Sequence, residues 1–207
     1  MLIKPKIGII NYGLGNVGSV YNACLHIGLD VQICNVPEDI DSCSHLILPG
    51  VGTFSAGMNL LYYRNWLPAL YKFVESTKPL LGICLGMQML LESGIEVTPT
   101  KGLGFIDGSV DLMPSAQGFK IPHIGWNSIE VEHDHLVLKG ISNQVDFYFV
   151  HSYFCSLSSS DQIIATTQHS IAFPSILCKD SVIGVQFHPE KSQPSGLRLL
   201  KNFSKLY

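Results

Sequence analysis

The sequence is poor in charged residues, and its few basic residues form no cluster. Charged side chains make up 14% of the 207 residues, Lys and Arg together number 13, and the formal net charge is −3 at pH 7. A protein that binds nucleic acid or an anionic membrane needs a concentrated positive surface. We therefore expect a protein that binds neither nucleic acid nor membranes.

Long apolar runs are also missing, although 46% of the residues are hydrophobic. No stretch approaches the length that crosses a bilayer, and the opening residues MLIKPK lack the apolar core and cleavage site of a signal peptide. These features predict a cytoplasmic protein. A chain of this length and composition can bury one well-packed core, so we expect residues 1–207 to form a single domain.

Cysteine and histidine lack the spacing of a metal site or a disulfide framework. The six cysteines include no CxxC pair and no close cluster with histidine. His133 and His135 flank an aspartate in a polar turn, but a third ligand is missing. We therefore expect reduced thiols and no bound metal.

What the chain does contain is a cysteine between two glycines, at the junction of two contrasting patterns. Leu80 to Ile83 is an apolar run that predicts a buried strand, and Leu85 to Leu91 returns at helical spacing. Gly82 and Gly86 allow the backbone to turn sharply at Cys84, as in the nucleophile elbow of hydrolases. The pattern predicts a strand, a sharp turn and a helix, with the cysteine side chain at the sheet edge.

Two interpretations of Cys84 are open at this point. A lone cysteine in an apolar run is usually a small buried hydrophobe. At an elbow, however, the start of the following helix favours the thiolate, and the backbone N–H of Leu85 can donate to an oxyanion. The second interpretation needs a base elsewhere in the chain.

Strand and helix patterns alternate through the first half of the chain. Such alternation predicts a parallel sheet covered by helices on both faces, with a functional site along the carboxyl ends of its strands. The predicted strands are Lys6 to Ile10, Val31 to Cys34 and His45 to Leu48, and the predicted helices are Val17 to Ile27, Ala56 to Tyr63 and Leu67 to Val74.

After Gly94 the helical patterns give way to short strands joined by Gly, Pro, Asn and Ser turns. The last two of these strands predict a hairpin, and an apolar stripe after it predicts a closing helix. The predicted strands are Phe105 to Val110, Ile121 to His123, Ser128 to Val131, Asp146 to Phe154, Ile163 to Thr166, Ile176 to Lys179 and Val182 to Phe187, and the stripe is Leu197, Leu200 and Phe203.

Two glycine-rich loops follow predicted strands. Gly13 to Gly18 formally matches the dinucleotide-binding fingerprint, but Asn35 stands where a carboxylate would hold the ribose, so a tight turn is the simpler interpretation. The loop from Pro49 to Gly52 can present backbone N–H groups to a ligand, or it can be an ordinary turn. This second loop and Cys84 are both expected at the carboxyl edge of the sheet.

The best candidate for a base is His188. Side chains alternate along an extended segment, so Gln186, His188 and Glu190 are expected on one side, with the carboxylate near the histidine ring. A thiol needs a base to become a nucleophile near neutral pH, and the base needs a group that fixes its orientation. His151 also ends an apolar strand, but it has no carboxylate two residues away, so we expect it to bind or pack.

At these residues the sequence resembles the triad-type (class I) glutamine amidotransferases. The motifs are Pro49-Gly50-Val51-Gly52, Gly82-Ile83-Cys84-Leu85-Gly86-Met87-Gln88 and Gly184-Val185-Gln186-Phe187-His188-Pro189-Glu190-Lys191-Ser192. Within that family the chain is similar to the glutaminase subunits of imidazole glycerol phosphate synthases, and the matches run over nearly the whole chain. The segments that carry this second likeness are Asn11 to Asn16, Ile121 to Asn127, Phe147 to Tyr153 and Leu199 to Phe203.

The resemblance implies a fold and a reaction. The implied fold is a three-layer αβα, flavodoxin-like arrangement with a mostly parallel central sheet and additional antiparallel strands in the C-terminal half. The implied reaction is glutamine hydrolysis, in which Cys84 attacks the side-chain amide, His188 protonates the departing ammonia and Glu190 orients His188. No cofactor is implied.

The resemblance also assigns roles to residues around the triad. The oxyanion hole would use the N–H of Leu85 and one N–H from Val51 and Gly52. The bound glutamine would lie near Gln88, Ser152 and Tyr153.

A partner is implied as well, because glutaminases of this family pass ammonia to a (β/α)8-barrel cyclase. The positions that match the partner-facing side are Asn16, Trp126, Tyr148 and Lys191. Some relatives have basic side chains where this chain has Asn22 and Asn59, so a paralogous glutaminase that feeds a sugar amidotransferase of surface-polysaccharide synthesis is an alternative. A free-standing cysteine γ-glutamyl hydrolase and an interaction subunit with an inactive site are two others.

Overall fold

Strands and helices alternate in the first half of the chain, and strands dominate the second half. The computed structural model describes residues 5–206, and within them no helix has both the length and the apolar character needed to cross a membrane. The helices are α1 (Val17–His26), α2 (Phe54–Tyr63), α3 (Trp66–Glu75), α4 (Leu85–Met89) and α5 (Gln193–Phe203). The strands are β1 (Lys6–Ile10), β2 (Asp30–Cys34), β3 (His45–Gly50), β4 (Leu80–Cys84), β5 (Leu91–Gly94), β6 (Thr100–Lys101), β7 (Ile106–Leu112), β8 (His123–Ser128), β9 (Glu130–Val131), β10 (Asp146–His151), β11 (Tyr153–Leu157), β12 (Ile163–Gln168), β13 (Ala172–Lys179) and β14 (Val182–Val185).

An eight-stranded sheet in the order β2-β1-β3-β4-β14-β13-β12-β9 forms the centre of the fold. Neighbouring strands from β2 to β14 pair in parallel, and those from β14 to β9 pair antiparallel. The expected parallel sheet with antiparallel strands in its C-terminal half is therefore confirmed. The hairpin of β13 and β14 is also confirmed, with Lys179 opposite Val182.

Each face of this sheet is covered by helices, because the apolar side chains of its strands alternate between two cores. On one face Ile9, Ile47 and Ile83 pack with α1 and α5. On the other face Leu46 and Leu48 pack with α2, α3 and α4. Strands buried on both sides are typical of parallel sheets, and the result is the three-layer αβα arrangement that the resemblance implied.

The elbow after β4 is present, and it depends on contact between backbones. Cys84 has φ 53° and ψ −110°, a conformation that a residue with a Cβ rarely adopts. A Cβ on Gly86 would lie 1.8 Å from the carbonyl oxygen of Leu48, and a Cβ on Gly50 would lie 2.7 Å from the backbone nitrogen of Gly86. The end of β3 therefore touches the first turn of α4 at a distance that only glycine permits.

The helix after the elbow is shorter than its pattern predicted. It ends at Met89, and Leu91 begins β5 instead of continuing the helix. Leu91 is fully buried and pairs with Ile106 of β7, so its apolar side chain serves a second sheet. A short apolar run fits a buried strand as well as a helix, which is why the pattern could not separate them.

Two strand boundaries in the second half were predicted wrongly. The predicted strands Ile121 to His123 and Ser128 to Val131 are replaced by β8 and β9, because Gly125 adopts φ 135° inside β8 without ending it. The predicted strand Asp146 to Phe154 is two strands separated at Ser152. Of these, β10 pairs with β8 in a two-stranded sheet, and β11 pairs with β7 in a four-stranded sheet.

We expect Gly86→Ala to destabilise the fold severely, because the new methyl group would overlap the Leu48 carbonyl oxygen. Overpacking against rigid backbone costs about 3 kcal/mol or more in the free energy of unfolding. Gly18→Ala is the matched control, because a Cβ at this helical position would meet nothing within 4 Å. It should stabilise the protein by about 0.5–1 kcal/mol. Urea denaturation of the two variants tests this, and equal midpoints would contradict it.

Candidate active site

Cys84 lies at the mouth of a cavity of about 300 Å³ at the carboxyl edge of the parallel strands. Its sulfur has two polar contacts: the Gln186 side-chain amide donates to Sγ from 3.8 Å, and Sγ is 3.9 Å from the Val150 carbonyl oxygen. The residue is 7% exposed, so it is neither sealed in the core nor freely solvated. The sulfur is therefore available to a molecule that enters the cavity.

His188 lies in the same cavity and is held by Glu190. Its Nδ1 is 2.9 Å from the Glu190 Oε1, and both side chains are almost completely buried. The contact was predicted, but its geometry differs from the predicted alternation along a strand. The strand β14 ends at Val185, short of the predicted end at Phe187, and the backbone bends at Gln186 and Phe187. The segment Pro189–Lys191 then forms a 3₁₀ turn that brings the Glu190 carboxylate to the His188 ring.

The Nε2 atom of His188 and the second carboxylate oxygen of Glu190 have no hydrogen-bond partner among the described residues. Burial lowers the pKa of His188, but the neighbouring Cys84 sulfur and the Glu190 carboxylate together outweigh burial and raise that pKa to about 9. The environment therefore favours a protonated imidazole between a sulfur and a carboxylate. Such a ring can give a proton to a leaving group and take one from water.

His151 also lines the cavity, but its surroundings oppose protonation. Burial lowers its pKa to about 3, although a hydrogen bond from its ring to the Tyr153 carbonyl oxygen acts in the opposite direction. Its other ring nitrogen is 3.0 Å from Nδ1 of His123, so it has no nitrogen free for the sulfur. The preference for His188 over His151 as the base agrees with this geometry.

The remaining residues assigned around the substrate are brought together at this cavity. Val51, Gly52 and Leu85 line it on the side of the elbow, and Gly52 has φ 99°. Ser152 and Tyr153 line the opposite side. Gln88 joins the two sides, because its side-chain amide donates to the Tyr153 carbonyl oxygen at 3.0 Å and to Gln186 Oε1 at 3.2 Å.

Sequence reasoning missed Glu96, which also lines the cavity. This residue lies beyond β5, in a segment without a motif or periodic pattern, so nothing in the sequence marked it. Its Oε2 accepts a hydrogen bond from the backbone N–H of Phe54 at 2.8 Å, at the start of α2. Among the described residues it is the one carboxylate that lines the cavity.

Three of the four predicted partner-facing residues form one cluster next to the site. Trp126 and Tyr148 are opposite each other on β8 and β10, with ring centroids 6.0 Å apart, and Trp126 is 48% exposed. The Lys191 Nζ lies 5.6 Å from the centroid of the Tyr148 ring. Asn16 is at the start of α1, where its side chain accepts from the N–H of Ser19.

Residues 5–206 contain no group of three or more His, Cys, Asp or Glu side chains arranged to hold a metal ion. All six cysteines are free thiols. The His133 and His135 turn brings no third ligand, and His135 instead accepts from the N–H of Val137 and lies 3.6 Å from the sulfur of Cys178.

The fold and the site agree with the family comparison. Residues 8–206 match the model of the family described as glutamine amidotransferase class-I. The chain belongs to this family.

Individual relatives narrow the assignment to one group within it. The chain is 43% identical over 199 residues to the imidazole glycerol phosphate synthase subunit HisH of Desulfitobacterium hafniense, covering 96% of this chain and 93% of that protein. It is also 41% identical over 199 residues to the chloroplastic imidazole glycerol phosphate synthase hisHF of Arabidopsis thaliana, covering 95% of this chain and 33% of that longer protein. The predicted likeness to the HisH group is confirmed.

A solved structure supports the fold alone. A chain of PurLQS from Thermotoga maritima superposes with a TM-score of 0.71 at 19% sequence identity, covering 97% of this chain and 98% of that one. At this identity the likeness concerns the arrangement of strands and helices.

The environment of His188 leads to a prediction about the pH dependence of stability. Its folded pKa of about 9 lies above the ordinary value of 6.5, so the folded protein holds a proton that the unfolded chain loses. The resulting stabilisation, about 3 kcal/mol, is complete below pH 6.5 and is lost as the pH rises through 9. Glu190→Gln removes a charge that supports this pKa. The difference in unfolding free energy between wild type and variant should therefore shrink from pH 6 to pH 9.

Asp107→Asn is the control for this comparison, because Asp107 forms an exposed ion pair with Lys179 at 2.8 Å. The difference in unfolding free energy between Asp107→Asn and wild type should stay constant over the same pH range. Denaturant unfolding at intervals of half a pH unit measures both differences, and parallel curves for wild type and Glu190→Gln would contradict the prediction.

Proposed function

We propose that this chain is the glutaminase subunit of an imidazole glycerol phosphate synthase, which hydrolyses glutamine to glutamate and ammonia and passes the ammonia to a cyclase subunit. The observation that carries the proposal is the meeting of Cys84 and His188 in one cavity at the carboxyl edge of the sheet, with Glu190 bound to the His188 ring at 2.9 Å. The similarity to HisH subunits over nearly the whole chain supports the pathway.

The proposed reaction has two halves. In the first, Cys84 has given its thiol proton to His188, and the resulting thiolate attacks the side-chain amide carbon of glutamine. The protonated His188 then gives this proton to the departing nitrogen, so ammonia leaves and a thioester remains. In the second, His188 takes a proton from water, the hydroxide attacks the thioester, and glutamate leaves as the sulfur is released. Glu190 keeps the ring oriented and its charge balanced in both halves.

The tetrahedral intermediates of both halves carry a negative oxygen, which needs donors fixed in advance. The backbone N–H of Leu85, directly after the nucleophile, is one proposed donor. The second comes from Val51 or Gly52, which line the cavity next to the elbow. Gly52 has φ 99° and no side chain, so its peptide plane can rotate with little steric resistance. The orientation of this donor can therefore depend on a bound partner.

The proposed partner surface is the cluster of Trp126, Tyr148 and Lys191. It is next to the base, because the Tyr148 carbonyl oxygen accepts from the backbone N–H of His188 at 2.9 Å. A partner that covers this cluster can therefore receive ammonia close to where it forms. The Arabidopsis relative supports a synthase partner. That longer protein is named as a whole synthase, hisHF, and this chain covers only 33% of it. We propose a (β/α)8-barrel cyclase in this role, with Asn16 on the same side.

Glu96 is proposed to hold the α-ammonium group of the substrate glutamine. A free amino acid carries this positive charge, and Glu96 is the one carboxylate among the described cavity residues. Its Oε2 already accepts from Phe54, which fixes the carboxylate in place and leaves Oε1 for a ligand. A charge-assisted hydrogen bond of this kind would distinguish free glutamine from a glutamine side chain within a peptide.

We expect Cys84→Ala to lower glutamate release from glutamine by at least about a thousandfold, because no other group forms the thioester. The assay measures glutamate with the purified chain alone, and then with an imidazole glycerol phosphate synthase cyclase subunit and its nucleotide substrate. Cys178→Ala is the control, because this residue is also a free cysteine but is not among the residues that line the cavity. Retained activity in Cys84→Ala would refute the chemistry. If the cyclase gives no rise in rate, the proposed partner is wrong.

We expect Glu96→Gln to raise the KM for glutamine by about tenfold to a hundredfold, because one charge-assisted hydrogen bond to the substrate loses its charge. The kcat should change far less, since the α-ammonium group is remote from the bond that breaks. Glu92→Gln is the matched control, because Glu92 also accepts from a backbone N–H, that of Gly108 at 3.0 Å, but lies outside the cavity. An unchanged KM in Glu96→Gln would contradict the assignment.

A further inference from the structure

His151 is a buried polar residue at the active-site cavity to which the proposed mechanism gives no part. It ends β10, is 6% exposed, and is surrounded by the aromatic rings of Phe149 and Phe173. Both of its ring nitrogens are engaged, Nδ1 with the Tyr153 carbonyl oxygen at 2.9 Å and Nε2 with Nδ1 of His123 at 3.0 Å.

The hydrogen-bond partners fix where the protons lie on both rings. A carbonyl oxygen only accepts, so His151 carries its proton on Nδ1 and accepts at Nε2. His123 must then donate from Nδ1, and its Nε2 accepts from the side-chain amide of Asn127 at 3.2 Å. That amide is itself oriented, because it donates to the Gln168 carbonyl oxygen at 2.9 Å and its Oδ1 accepts from the N–H of Ser128 at 2.9 Å.

The chain of donors therefore points in one direction, from Asn127 through His123 and His151 to the Tyr153 carbonyl oxygen. Burial lowers the pKa of His123 to about 4 and is the largest cause that lowers the pKa of His151 to about 3. Both rings stay neutral near pH 7, which this arrangement requires, because protonating either one would set two donors against each other.

The far end of this chain reaches the part of the backbone that is proposed to bind glutamine. The Tyr153 carbonyl oxygen accepts both from His151 and from the Gln88 amide, and the Ser152 carbonyl oxygen accepts from the N–H of Met113 at 2.9 Å. Both carbonyl groups of this cavity-lining segment are thus held by hydrogen bonds from other parts of the protein. The loss of the His151 donor would leave the Tyr153 carbonyl oxygen with the Gln88 amide as its remaining side-chain donor, and so would loosen a peptide that is proposed to bind glutamine.

We propose that His151, oriented by His123, is a positioning residue that fixes the Ser152–Tyr153 backbone in the conformation that binds glutamine. The inference rests on the proposed glutaminase function and adds to it two buried histidines that do not touch the reacting atoms. Their effect is on substrate affinity, whereas the effect of His188 is on the chemical steps.

The test compares three variants of His151 and His123 in the assay of glutamate release, together with the cyclase subunit. His151→Phe keeps an aromatic ring among Phe149 and Phe173 but removes the donor to Tyr153. It should raise the KM for glutamine about tenfold and change kcat less than about threefold, since one neutral hydrogen bond with a buried acceptor is lost. His151→Asn puts an amide donor near the Nδ1 position and should restore most of the affinity. His123→Phe should raise the KM by a smaller factor.

His45→Phe is the matched control. His45 is a buried histidine whose Nε2 is 2.9 Å from the Leu206 carbonyl oxygen, at the start of β3 and so at the opposite edge of the sheet from Cys84. Its variant loses the same kind of hydrogen bond, so it should lose stability in denaturant unfolding and keep the KM of the wild type. A variant that merely weakens the fold would resemble this control.

Three outcomes would overturn the inference. The first is an unchanged KM in His151→Phe, whether or not its kcat falls. The second is a KM in His151→Asn as high as that of His151→Phe, and the third is an equal rise in KM in His45→Phe. If His151→Phe does not fold, the KM of His123→Phe tests the inference instead, because that substitution breaks the same chain of hydrogen bonds at the neighbouring histidine. An unchanged KM in His123→Phe would then overturn the inference. Absence of Cys84-dependent glutamate release in the wild type is a different result, which refutes the proposed function and this inference with it.

Discussion

The contact between the end of β3 and the elbow after β4 is the constraint on which the rest of the site depends. Gly50 and Gly86 bring the two backbones within a distance that excludes any Cβ, and Gly50 lies opposite Cys84 in the parallel register. This contact sets the loop of Val51 and Gly52 beside the first turn of α4. The proposed nucleophile and the proposed oxyanion donor of Leu85 are thus placed by backbone packing, and the strained φ of Cys84 is maintained by the sheet on either side.

The opposite side of the cavity is built in a different way, by polar side chains that act on backbone carbonyl groups. Gln88 connects the elbow helix to Tyr153 and to Gln186, and Gln186 donates to the Cys84 sulfur. Buried polar networks of this kind are stable only when every donor finds an acceptor. They join the central sheet to the smaller sheets that contain β10 and β11, so the position of the substrate depends on how the three sheets pack.

The sequence patterns predicted the central sheet well and the second half of the chain less well. Every strand and helix before Cys84 is present, because alternating strand and helix patterns of sufficient length have distinct periods. After Gly94 the strands are short, and the pattern did not separate strand residues from turn residues: Gly125 lies inside a strand, and Ser152 divides what was predicted as one strand. The contact of His188 with Glu190 was predicted from a spacing of two residues, yet a 3₁₀ turn and not an extended strand produces it.

The sequence alone determined the elements whose signal is local: the glycine-flanked elbow, the His188 and Glu190 pair, the alternating fold class and the family. Only the tertiary structure decided which residues from distant segments share the cavity. Glu96 enters it from a segment without a pattern, and Asn127, His123 and His151 form a single chain of donors although His151 lies 24 positions after Asn127 in the sequence. The physical reason is that hydrogen-bond direction and burial depend on which strands become neighbours, and that is set by the packing of the whole sheet.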